Sequence, residues 1–121
     1  MKENGRLFVP LSKDAFYDFR DRGKAVEIRK YGRNFTEKTV FPGRAVELRL
    51  GYSGNESIWG VIGQVVIGSM ELIFEEFELH RVEPRFTSVD EAIKDNIDLL
   101  GSAEKEIAFE IRNKKVRYNK L

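Results

Sequence analysis

Residues 58–68, IWGVIGQVVIG, form an almost unbroken apolar run, interrupted by one glutamine and by glycines at 60, 63 and 68. The run falls short of the roughly 18 residues that span a membrane, and its β-branched content reads as one long strand. Glycines inside such a strand mark bulges or bends of the kind that carry a sheet round the corner of a small barrel. Everything else in the chain has to be arranged around that strand.

The segments before it are shorter and alternate. LFVP reads as a strand closed by Pro10, after which Ser12 offers an N-cap to a helix over about Lys13 to Asp21. Ala15, Phe16 and Phe19 give that helix one buried stripe, and Gly23 stands just past its end, where a left-handed backbone costs little. From Ala25 to Tyr31 the pattern has period two: Val26 and Ile28 face one way, Glu27, Arg29 and Tyr31 the other. FPGRAVELRL predicts a turn at Pro42 and Gly43, then a strand with Val46, Leu48 and Leu50 inward and Glu47 and Arg49 outward.

After the long strand, ELIFEEF fits a short acidic amphipathic helix. SVDEAIKDNIDLLG carries a capping box in Ser88 and Glu91, a stripe through Val89, Ala92, Ile93, Ile97 and Leu100, and a terminating Gly101. EIAFEIR alternates as a closing strand. With no internal repeat and no linker, the order predicts an α+β fold: a small, partly closed β-barrel of mostly antiparallel strands with about three flanking helices. Residues 1–112 are expected to form that single domain, and 113–121, within the acid-free run RNKKVRYNK, a flexible basic tail.

Composition removes several kinds of chemistry. The chain has 121 residues, no cysteine and one histidine, His80, which excludes disulfides, thiolate catalysis and cysteine-based zinc sites and disfavours a histidine-centred metal site. No metal or cofactor is expected. MKENGRLFVP lacks the long apolar region of a signal peptide, so a cytoplasmic, non-membrane setting is expected. The net charge of +1 is uneven: residues 1–66 sum to +4 and residues 67–121 to −3. An anion site therefore belongs in the first half.

Gly23, Lys24, Glu27 and Arg29 resemble the G-x-K-x-x-E-x-R signature of the ASCH domain family, a branch of the PUA-like β-barrels, with the glycine one residue nearer the lysine than in the signature. The helix before it, PGRAVELRL after it and the P-x-x-x-S-x-x-E-A approach to the late helix extend the resemblance over most of residues 7–112. The resemblance implies association with nucleic acid, most often RNA, or with a modified nucleoside, in a cleft between barrel and first helix. Lys24 would supply a point charge, Arg29 would fork onto a phosphate or base edge, and Glu27 would orient both. Tyr31 and Arg33 extend this set, and Tyr31, Phe35, Tyr52 and Trp59 lie where they would stack on an unpaired base, although Trp59, opening an apolar strand, is more simply a core residue.

Two alternatives stand beside this reading. One ASCH branch looks like an amidohydrolase of N4-acetylcytidine, with lysine and threonine where this chain has Lys24 and Glu27, and a glutamate further on for which Glu83 is the nearest candidate. Glu27 replaces the hydroxyl nucleophile, so enzyme activity is left open. The acidic, aromatic MELIFEEFEL would suit a protein-interaction module if its face were exposed, and would otherwise cover one end of the barrel.

Overall fold

The computed structural model describes residues 5–101 and 105–118. In chain order the elements are β1 (Leu7–Leu11), α1 (Lys13–Asp21), β2 (Val26–Lys30), β3 (Ala45–Leu50), β4 (Glu56–Gly68), α2 (Met70–Glu76), α3 (Leu79–Val82), α4 (Val89–Leu100) and β5 (Glu106–Tyr118). One five-stranded sheet runs β1-β3-β4-β5-β2, antiparallel at every pairing except the parallel β1–β3. The α+β expectation is met by an open, curled sheet with, among the described residues, four helices, one of them a single turn.

Curling follows from one contact between the two edges. In a flat sheet β1 and β2 would lie about 19 Å apart, four strand spacings. Yet Arg29 Nη2 of β2 donates to the Pro10 carbonyl of β1 at 2.6 Å. The bend is concentrated in β4, whose pairing with β5 shifts register between Trp59 and Val61 and again between Ile62 and Val65. Gly60 and Gly63 sit at those two shifts. A Cβ on Gly60 would lie 2.7 Å from the Arg112 carbonyl oxygen, so the close strand approach there requires glycine.

The curled sheet has two apolar layers. Its inner face packs Val9, Leu48, Ile58, Ile62, Phe109 and their neighbours against Phe16 and Phe19 of α1. Half of its outer face, bearing Val26, Ile28, Val66 and Ala108, is covered by Met70, Ile73 and Phe77 of the α2 segment and by Val82 of α3. Val26 and Ile28 are buried, then, but under helices rather than inside the barrel. Glu27 and Arg29, on the opposite face of β2, point to the barrel interior at its open edge, since Glu27 pairs in register with the inner-layer residue Phe109.

Two sequence expectations are corrected. Residues 113–118 continue β5, with Lys115–Tyr118 pairing with Glu56–Trp59 of β4, so this basic run is sheet as far as Tyr118; residues 119–121 lie outside the described residues. The run also reaches inward: Lys114 Nζ donates to the carbonyls of Phe19 at 3.2 Å and Lys24 at 2.7 Å, satisfying one of the open carbonyls at the end of α1. Glu47, expected to face solvent, is only 1% exposed, because Arg6 and Arg49 close over its carboxylate from either side. Among the described residues no helix is long and apolar enough to cross a membrane, and no group of acidic or histidine side chains is placed to hold a metal.

Candidate functional site

The site begins where α1 stops. Ser12 caps the helix by accepting from the Ala15 N–H, and Gly23 at φ +83 reverses the chain into β2. The turn is tied down by Lys24 N–H donating to the Asp18 carbonyl at 3.1 Å and Ala25 N–H to the Arg81 carbonyl at 2.7 Å. Lys24 is thereby delivered to the floor of a cleft of about 280 Å³ between α1, β2, the α3–α4 connection and α4.

Four of the residues singled out from sequence line that cleft: Lys24, Glu27, Arg29 and Glu83. Lys24 is 4% exposed, its ammonium donating to the Val82 carbonyl, lying 3.8 Å from Glu27 Oε1 and standing 5.2 Å above the Phe19 ring. It is a fixed charge, not the mobile one expected of a surface lysine. Glu27 Oε2 accepts from Arg29 Nε at 2.9 Å, and the Arg29 guanidinium rests 5.1 Å over Phe35, which stacks in turn on Phe109. With one nitrogen on Glu27 and another on Pro10, Arg29 both closes the barrel edge and completes the cluster.

Glu83, placed by the end of α3 and by Pro84, enters from the opposite wall and accepts from Asn96 Nδ2 at 2.9 Å. Burial raises its carboxyl above the ordinary carboxylate value. Lys24 and the Asn96 hydrogen bond pull it back down, while Asp95 and Glu27 push it further up. A glutamate in this state is stabilised in the fold as the acid, and that contribution is lost as pH rises through the folded-state value. Glu83→Gln is therefore expected to gain stability relative to the wild type as pH rises from about 4 to about 8 in paired urea unfolding curves. A difference that stays constant over that range would mean the carboxylate is solvated.

Tyr31 and Arg33 do not line the cleft. Tyr31 bonds Glu37 through its hydroxyl and has Lys105 over its ring at 4.1 Å, while Arg33 occupies an exposed turn beyond β2 at φ +50. None of the four candidate stacking aromatics lines it either. Trp59 is not in the core: it lies on the outer face of the sheet between Arg6 and Arg117.

The sequence reading missed Asn96, Asp18 and Arg85. Asn96, 6% exposed, donates to both Glu83 and the Ala92 carbonyl. Asp18, 1% exposed, accepts from Arg85 Nε at 2.9 Å and Arg22 Nη1 at 3.0 Å. Both are polar residues on otherwise apolar helix stripes, one turn from Ala92 and from Ala15, and that interruption was the available signal.

Comparison with solved structures identifies the architecture. The hypothetical protein PH0355 superposes with a TM-score of 0.69 at 16% identity, over 88% of this chain and 96% of that one. An ASCH protein from Zymomonas mobilis gives 0.66 at 14% identity, over 95% and 73%. Protein PF0455 from Pyrococcus furiosus gives 0.62 at 18%, over 88% and 94%. No family model and no curated protein matches the sequence itself. The chain has the ASCH fold.

Proposed function

We propose that the cleft binds a single nucleobase, offered as a modified nucleoside or as an unpaired base of RNA. The observation carrying this reading is the convergence of Lys24, Glu27, Arg29, Glu83 and Asn96 on one small cleft. Its charged lining is nearly balanced: Asp18, Glu27, Glu83 and Asp95 against Lys24, Arg29 and Arg85. A groove tracking a phosphate backbone needs a cation excess. A balanced pocket with fixed donors and acceptors and apolar walls at Leu11, Ala15 and Ile28 suits an uncharged planar ligand recognised at its edge.

Glu27 and Glu83 would accept from an exocyclic amine or ring N–H, held in place in Glu83's case by Asn96, and Lys24 would donate to a ring carbonyl. Calorimetric titration with cytidine, N4-acetylcytidine, uridine and adenosine tests this. One nucleoside is expected to bind preferentially, with Glu27→Gln weakening it by about tenfold or more through the loss of one charge-assisted bond. Equal, unsaturable heats for all four nucleosides would sink the reading.

A second reading is favoured by the raised value of Glu83 beside Lys24. In amide hydrolysis of N4-acetylcytidine, Glu83 as carboxylate would take a proton from water as the oxygen attacks the acetyl carbon. The same acid would return the proton to N4 as the C–N bond breaks, leaving cytidine and acetate. Lys24 would stabilise the oxyanion. Acetate release by wild type, abolished in Glu83→Gln, would convert the binding site into an active site; its absence with binding intact leaves a binding module.

A further inference from the structure

On the outer face of the sheet, the half that α2 and α3 leave uncovered presents arginines and aromatic rings. Register places Phe8, Glu47, Trp59 and Lys115 in one row across four strands. The adjacent row on the same face is Pro10, Arg49, Ser57 and Arg117. Arg6 reaches into the first row, its guanidinium 5.8 Å from the Phe8 ring and 5.5 Å from Trp59. Arg49 lies 5.0 Å over Phe8 and Arg117 4.9 Å over Trp59. Tyr52, 78% exposed, adds a ring 6.3 Å from Phe8.

The charge on this face is one-sided. Among the described residues, Arg6, Arg49, Lys115 and Arg117 face a single carboxylate, Glu47, which is buried and already bonded to Arg6 at 2.6 Å and Arg49 at 2.8 Å. Lys115 and Arg117 are exposed and have no carboxylate partner among the described residues. Glu47 does not neutralise the face so much as hold two guanidiniums beside the rings, so that little further entropy is lost in placing them on binding.

We propose that this face binds single-stranded nucleic acid, independently of the cleft. The cation excess suits phosphates, and the alternation of rings with guanidiniums suits unpaired bases, which stack on either. The curled sheet is convex here, so a flexible strand can follow it where a stiff duplex cannot. An acidic peptide would use the charges but does not present a planar base at every unit to match the rings.

Trp59 is the only tryptophan of the chain and reports on this surface directly. Titration of the full chain with a fluorescein-labelled twelve-nucleotide oligouridine is expected to raise anisotropy and quench Trp59 emission. Affinity should fall with salt at a slope of about −0.7 per phosphate neutralised. Lys115→Glu/Arg117→Glu, both exposed and away from the apolar layers, should weaken binding by about tenfold or more and lower the slope by about 1.4. The charge-reversed protein should still bind nucleosides in the cleft as wild type does, since neither Lys115 nor Arg117 lines it, so that failure of the nucleobase reading and failure of this one are separable. Unchanged oligonucleotide binding in the charge-reversed protein, binding without a Trp59 response, or binding to phosphatidylserine vesicles in place of the oligonucleotide would each overturn the proposal.

Discussion

Phe109→Ala is expected to destabilise the domain by about 3–5 kcal/mol, read from the midpoint of urea unfolding at constant slope. Phe109 is fully buried in β5, which pairs with β4 on one side and β2 on the other, so its ring sits centrally in the inner layer. Truncation opens a cavity that the flanking strands cannot close without breaking ladder bonds. The loss also reaches the site. Phe35 stacks on Phe109 with centroids 6.3 Å apart and carries the Arg29 guanidinium, so removing the lower ring loosens the support of Arg29. Phe109→Leu, keeping most of the volume, should cost about 1–2 kcal/mol and leave nucleoside affinity nearer wild type. A cost for Phe109→Ala below about 1 kcal/mol would mean that the inner layer is loosely packed.

How far the sequence foretold this structure depends on the kind of signal. The ends of α1 and α4 were legible because Ser12, Ser88 and Gly101 act locally: each satisfies or terminates a helix within one turn of itself. The two faces of β2 were legible from alternation, but alternation does not say which face lies inside a curled sheet, and Val26 and Ile28 turned out to lie under α2 and α3. The basic run at 113–118 looked like a tail because nothing local pairs with it; its partners, Glu56–Trp59, are more than fifty residues away. The cleft was half legible. Lys24, Glu27 and Arg29 are neighbours in sequence, whereas Asn96 and Asp18 are brought to them only by helix packing, and Glu83 had no local signal except its place before Pro84.

The cluster around Lys24 gives the second large effect. Lys24→Met is expected to cost about 3 kcal/mol near neutral pH, the scale for breaking a buried ion pair by removing one partner. The ammonium is nearly inaccessible to water, and its loss strips the Val82 carbonyl of a donor and leaves Glu27 and Glu83 facing each other across the cleft. The cost should not be a fixed quantity. Since Lys24 is one of the groups holding the Glu83 carboxyl down, its removal raises that carboxyl further, and a protonated Glu83 has no need of a cation. The destabilisation should therefore shrink as pH falls below the folded-state value of Glu83. Glu27→Gln in the same background removes the second carboxylate. The double variant is expected to be more stable than the sum of the singles predicts by about 1–3 kcal/mol, because each single change leaves a charge that the other would have matched. Additive costs that are equal at low and neutral pH would show that Lys24, Glu27 and Glu83 are neighbours without being coupled. The cleft would then lack the matched, interacting charges that suit it to an uncharged nucleobase.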